Sequence, residues 1–235
     1  MGRIARYRII YIEKQVPEVK IFRMEPVEGK IPPYKPGQFA VLHLLDDKGA
    51  STLKRPYSIA SIPGMPCLEF CIKNVQGKMT SALDKLAVGA TLGIELPFGH
   101  FMYSGEKSIA MIAGGCGISP LIGILREIAE KGVKGRFVLF YSAKTRNSII
   151  YRKELEELAR RNKDIKVVLT LTQESPEGWV GECGRINEQV LRKHIADPKV
   201  FDWWICGPLP MIKGLKDCIL GLGADPKRIR AEGWG

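Results

Sequence analysis

The chain of 235 residues has no apolar run long enough to cross a bilayer. Its longest apolar stretches, Ser108 to Ala113 and Phe137 to Tyr141, fall far short of the roughly 20 residues that a membrane helix needs. The opening Met1 to Tyr7 lacks an apolar stretch followed by a small-residue cleavage site, so the expectation is a cytoplasmic protein with no membrane span. Six cysteines occur without a CxxC pair, which argues against a disulfide framework and against a thiolate-held zinc or iron–sulfur site; no metal site is assigned. Cys67 and Cys71 lie on one face of a strand-like segment and read as packed small hydrophobes. Internal repeats and low-complexity segments are absent as well. With 45% hydrophobic and 26% charged residues, the composition is that of a globular chain rather than a disordered or fibrous one.

Acidic residues are outnumbered by basic ones, 25 to 36, for a formal charge of +11. Such an excess steers acidic partners or phosphate-bearing ligands. It does not argue for nucleic acid. The basic residues are interleaved with acidic ones, as in Arg152-Lys153-Glu154-Leu155-Glu156-Glu157, and no aromatic-plus-basic cluster offers a base-stacking platform.

Two patterns divide the chain. Over residues 1–104 short β-branched and aromatic runs alternate with Pro and Gly clusters: Arg6 to Lys14, Val19 to Arg23, Phe39 to Leu45, Arg55 to Ala60, Leu68 to Lys73 and Thr91 to Glu95. Six such strands predict a small antiparallel barrel, interrupted by a helix over Met79 to Leu86. After the turn Ser104-Gly105-Glu106-Lys107, residues 105–235 alternate apolar strands with amphipathic helices. Strands are expected at Ser108–Ala113, Phe137–Ser142, Lys166–Leu171, Phe201–Cys206 and Ile229–Glu232. Helices are expected at Pro120–Lys131, Arg152–Arg161, Ile186–Ile195 and Pro210–Leu220. That alternation predicts a parallel, doubly wound sheet.

In the second half, Ala113-Gly114-Gly115-Cys116-Gly117-Ile118-Ser119-Pro120 follows a strand and opens a helix. Glycines there let backbone amides approach a pyrophosphate at a helix N-terminus, and Ser119-Pro120 reads as N-cap and first-turn residue. Gly115, Gly117 and Pro120 nearly reproduce GxGxxG spacing; a tight turn without a ligand is the other reading. The acidic residue that would hold a ribose 2′-hydroxyl is missing from the end of the next strand. Ser142, Lys144 and Arg146 stand there instead and suit a 2′-phosphate, which favours NADPH over NADH unless these cations are simply solvated.

Three motifs in order, Arg55-Pro56-Tyr57-Ser58, the GGxGxxP turn and Cys206-Gly207-Pro208-Leu209-Pro210-Met211, resemble those of the ferredoxin–NADP reductase family. The resemblance covers essentially the whole chain, including Pro36-Gly37-Gln38, Gly77 to Leu83, Pro97-Phe98-Gly99 and the terminal Glu232-Gly233-Trp234-Gly235. It implies an FAD-binding barrel followed by an NAD(P)-binding domain, with FAD and NADP(H) or NAD(H) as cofactors. In such proteins the residue matching Arg55 pairs with a flavin phosphate, that matching Tyr57 stacks on the isoalloxazine, and that matching Ser58 sits near flavin N5, all suited to those side chains.

The resemblance also makes Gly77-Lys78-Met79-Thr80 a second flavin-phosphate site, which implies FAD rather than FMN; a plain helix cap is the other reading. It places Cys206 beside nicotinamide C4, with Gly207 and Pro208 shaping the turn and Met211 closing the motif; an isolated cysteine there would read as a buried small hydrophobe. Glu232 and Trp234 match an acidic residue and a terminal aromatic near the flavin. Here an indole replaces the usual tyrosine or phenylalanine and one residue follows it, so Trp234 either gates the nicotinamide or only packs.

The implied activity is hydride transfer between NAD(P)H and flavin, with Ser58, Cys206 and Glu232 as catalytic residues, and electron exchange with a ferredoxin-like carrier. Three alternatives stand beside it: a free-flavin reductase, an electron-transfer subunit of a larger redox complex, and a nucleotide-binding module without redox activity, which would require an unrelated use of Tyr57, Ser58 and Cys206. The second is disfavoured by the lack of a C-terminal cysteine cluster.

Overall fold

The computed structural model describes residues 4–175 and 177–234, the Trp234 side chain excepted. The chain divides into two compact units, one formed by Met1–Ser104 with Ile122–Glu127, the other by Gly105–Leu121 with Ile128–Gly235.

The first unit contains β1 (Ala5–Val16), β2 (Val19–Pro26), β3 (Phe39–Leu45), β4 (Ser51–Ser58), β5 (Leu68–Lys73), α1 (Lys78–Asp84) and β6 (Thr91–Phe98). The six strands form one antiparallel sheet in the order β4-β3-β6-β1-β2-β5. An antiparallel bridge between Ile59 and Phe70 joins the two ends of this order, so the sheet curls into the expected barrel. Period-two patterning drives it: in β1 Tyr7 and Ile9 are buried while Arg6 and Arg8 are exposed. The enclosed core includes Phe22, Met24, Leu42, Phe70, Leu92 and Ile94, and Met79 and Leu83 of α1 plug it.

The second unit runs β7 (Ser108–Gly114), α2 (Ile118–Glu130), β8 (Arg136–Ala143), α3 (Arg152–Arg161), β9 (Ile165–Leu171), β10 (Glu182–Cys183), α4 (Glu188–His194), β11 (Asp202–Pro208), α5 (Leu209–Gly221) and β12 (Ile229–Trp234). All pairings are parallel, in the order β10-β9-β8-β7-β11-β12. Strands β7, β8 and β11 are buried almost continuously, as expected of a parallel sheet covered on both faces. On one face Ile112, Phe140, Trp203 and Ile205 pack against Val190 and Leu191 of α4 and Leu215 and Ile219 of α5.

Several expected boundaries move. The fourth strand starts at Ser51 rather than Arg55, because pairing with β3 extends through Ser51 to Lys54, where half-buried Leu53 is the one apolar residue beside exposed polar ones and gives too weak a signal. Helix α4 begins at Glu188 rather than Ile186, since the Asn187 side chain accepts the Val190 amide at 3.0 Å and so caps it. The parallel sheet has six strands instead of five, the addition being two-residue β10. No described helix is long and apolar enough to cross a membrane. Among the described residues no group of three or more His, Cys, Asp or Glu side chains is gathered as for a metal.

Candidate functional site

In the first unit the Arg55–Ser58 motif occupies the end of β4, the edge strand of the order, where Pro56 and its missing N–H are tolerated. Tyr57 is half-buried against the barrel core; burial pushes its phenol up to about 12, with the Arg55 guanidinium pulling weakly the other way. It remains a neutral ring. Arg55 is exposed, and among the described residues its guanidinium donates only to the Lys54 carbonyl at 2.8 Å, so most of its N–H fork is available. The Ser58 hydroxyl has no hydrogen bond among the described residues.

Helix α1 packs against β4. It starts from Gly77 in ordinary extended backbone, φ −77° and ψ 161°, with no side-chain cap. Thr80 donates its hydroxyl to the Gly77 carbonyl at 3.3 Å, which leaves the first-turn amides without a side-chain acceptor. A Cβ on Gly77 would meet nothing closer than 3.7 Å, so packing does not demand glycine there, and its absence of a side chain keeps the approach to those amides open. The Met79 side chain is buried in the core and offers a ligand only its amide. An uncapped helix start, a free guanidinium and a neutral half-buried ring on adjacent elements fit a flavin carrying a pyrophosphate.

In the second unit β7 is the point where strand order reverses, with β8 on one side and β11 on the other. Crevices for ligands form at the carboxyl ends of strands at such a point. Gly115–Gly117 form a single 3-10 turn that runs directly into α2. Gly115 has φ +53° and open space above it, a conformation and a clearance that suit glycine. A Cβ on Gly117 would lie 2.0 Å from the Cys206 carbonyl oxygen, so the turn runs tight against the end of β11. Met211 fills the space next to Gly114 and Gly207, and buried Pro120 occupies the first turn of α2, where its missing N–H costs nothing.

The expected cap at Ser119 is not formed. Because the 3-10 turn already supplies the first helical geometry, Ser119 falls inside α2, buried, with no partner for its hydroxyl among the described residues.

Cys206 is fully buried and sits between Ala113 on β7 and Glu232 on β12. Burial above all, then the neighbouring Glu232 and Cys116, push its thiol far up, so it is a neutral side chain and not a nucleophile. Burial also pushes the Glu232 carboxyl up to about 7, which lets it hold or release a proton near neutrality. The Trp234 backbone pairs with Pro208; its side chain lies outside the description.

A cavity of about 450 Å³ opens at the same sheet edge. It is lined by Ser142, Thr172, Gln173, Arg185, Pro208 and Met211 among others. Of the three polar residues expected at and just beyond the end of β8, only Ser142, still within the strand, lines it; Lys144 and Arg146 are exposed outside the lining. The turn that carries them is held by a capping box between Thr145 and Ser148. Glu174, from the segment after β9, accepts the Arg146 amide, so a carboxylate reaches a loop whose own sequence has none. Thr172, Gln173 and Arg185 carried no motif, since they converge only through sheet order.

Residues 8–103 match the oxidoreductase FAD-binding domain and residues 111–217 the oxidoreductase NAD-binding domain. The chain is 32% identical to NADH-cytochrome b5 reductase 2 of Mycosarcoma maydis over 73% of its own length and 51% of the relative's. It is 30% identical to the glycine betaine monooxygenase reductase subunit of Chromohalobacter salexigens over 86% of its length and 56% of the relative's. The chain thus spans just over half of these curated relatives. Its fold matches the FAD/NAD-binding domain of nitric oxide dioxygenase from Vibrio cholerae with a TM-score of 0.89, 20% identity and 98% of each chain covered.

Proposed function

Because the chain belongs to the ferredoxin–NADP reductase family of FAD- and NAD-binding oxidoreductases, we propose that it transfers hydride between NAD(P)H and FAD. It then exchanges electrons with a separate, acidic, ferredoxin-like carrier. The observation that carries this reading is that one chain holds both an uncapped helix start beside the Tyr57 strand and a glycine turn at the reversal point of a parallel sheet. A cytoplasmic setting belongs to the same proposal.

Bound flavin supplies the chemistry of accepting two electrons as hydride and releasing them singly. The chain's residues hold and shield it. Arg55 and the first amides of α1, from Lys78 to Thr80, neutralise the phosphates. Tyr57 lends an aromatic face and Ser58 a hydroxyl with no competing partner among the described residues. On the other unit the Gly115–Gly117 turn and the start of α2 take the dinucleotide pyrophosphate. Cys206 gives a neutral, unreactive wall, and Glu232 holds a proton at its carboxyl below pH about 7.

The relative that is a monooxygenase reductase subunit favours a second reading, a reductase component of a larger redox complex. The formal +11 charge favours an acidic electron acceptor in either case. Raising ionic strength tests that: reduction of an acidic carrier by NAD(P)H falls steeply with salt, while reduction of free flavin hardly changes. Equal salt responses would remove the acidic carrier from the proposal.

A further inference from the structure

On β5 the side chains of Leu68, Phe70 and Ile72 enter the barrel core, so Glu69 points the other way, yet it is only 3% exposed. Two guanidiniums hold its carboxylate. Arg23 of β2, directly opposite it in the sheet, donates Nε to Oε2 at 2.8 Å. Arg126, from the part of α2 that belongs to the first unit, donates Nη1 to Oε1 at 2.7 Å. The same Nη1 donates to the Ala60 carbonyl at 2.8 Å.

The Glu69 backbone reaches the same stretch of chain. Its carbonyl accepts the Ala60 amide at 2.8 Å, and its amide donates to the Ser61 hydroxyl at 3.0 Å. That hydroxyl also meets the buried Tyr34 hydroxyl at 3.0 Å. The Ile59 amide donates to the Gln38 carbonyl at 2.9 Å. Residues 59–61, which follow Ser58 directly, are therefore tied through two amides, a carbonyl and a side chain, and Glu69 or its partner Arg126 makes most of these ties.

A carboxylate buried between guanidiniums adds little stability over a well-packed apolar side chain, so this convergence calls for another role. The Ser58 hydroxyl has no hydrogen bond among the described residues, so its backbone alone sets where it stands. Pairing with Phe39 on β3 holds that backbone at Ser58, and the ties on residues 59–61 hold it just beyond. We infer that Glu69 and Arg126 are positioning residues that act through the Ala60 carbonyl and hold Ser58 in place for hydride transfer to the flavin. This rests on the proposed function and on the part that Ser58 takes in it.

Stopped-flow reduction of the flavin in the holoprotein by saturating NAD(P)H tests this in a double-mutant cycle of Arg126→Ala with Ser58→Ala. Arg126→Ala is expected to retain FAD and to slow reduction about tenfold, as misplacing a reacting group does, with KM for the dinucleotide little changed. Arg126→Lys, whose ammonium keeps the charge and the donors, recovers part of the rate. In the Ser58→Ala background Arg126→Ala is expected to change the rate by less than about twofold. Equal slowing in both backgrounds would make Arg126 a general support of the fold and overturn the inference. So would a wild-type rate in either single variant; all of these results leave hydride transfer between the nucleotide and FAD standing. A wild type whose flavin neither nucleotide reduces overturns the proposed function and the inference together. If Arg126→Ala loses its flavin, Glu69→Gln, which keeps the side-chain shape, replaces it in the cycle and the same outcomes decide.

Discussion

Gly117 and Cys206 are in backbone contact: a single added methyl on Gly117 would stand 2.0 Å from the Cys206 carbonyl oxygen. This ties the turn at the head of α2 to the end of β11. The residue proposed to line the nicotinamide site and the turn proposed to hold the pyrophosphate therefore cannot shift independently.

Gly117→Ala should consequently damage the dinucleotide site and spare the flavin site. Forcing a methyl into that contact costs about 1–3 kcal/mol of stability or moves the turn. The expected outcome is a lower melting temperature and a KM for NAD(P)H raised at least about tenfold, with flavin content retained. A variant with unchanged KM would mean that the turn does not contact the dinucleotide.

Ser58→Ala removes the hydroxyl that has no hydrogen-bond partner among the described residues. Flavin is expected to stay bound while its reduction by NAD(P)H slows at least about tenfold, near 1.4 kcal/mol of barrier. Stopped-flow bleaching of the flavin absorbance at the wild-type rate would exclude Ser58 from the transfer.

Glu232 gives the fold a pH signature. Burial lifts its carboxyl from an ordinary 4.5 to about 7, so the folded state holds the proton more tightly than the unfolded one. Stability therefore declines as pH climbs from about 4.5 and levels off above about 7. Glu232→Gln lacks this decline: it should match the wild type in acid and exceed it by about 2 kcal/mol at pH 8, for a carboxyl that is still partly solvated. Denaturant melts of both proteins between pH 4.5 and 8 measure this, and parallel profiles would contradict it.

Much of this architecture was legible because periodicity and burial agree. Phe39–Leu45, Leu68–Lys73 and Arg152–Arg161 are observed with the limits that their patterns predict. Failures came where tertiary bonding overrides local signal. Ser51–Lys54 is a strand only because β3 pairs with it. Ser119 looks like a cap but is overtaken by the preceding 3-10 turn. Met79 belongs to a motif of proposed cofactor residues, yet its side chain completes the core. Arg185 was invisible, because it belongs to no motif and reaches the cavity wall from the segment after two-residue β10. Glu174 escaped notice similarly, reaching the Arg146 loop from 28 residues downstream.

The central claim is that one chain holds both a flavin and the nicotinamide that reduces it. Its most direct test is to release and identify the chromophore of the purified protein, then add NADH and NADPH separately without oxygen. The account predicts FAD, about one per chain, whose visible absorbance is bleached by at least one of the two nucleotides. A colourless protein that takes up no flavin, or a bound flavin that neither nucleotide reduces, would contradict it.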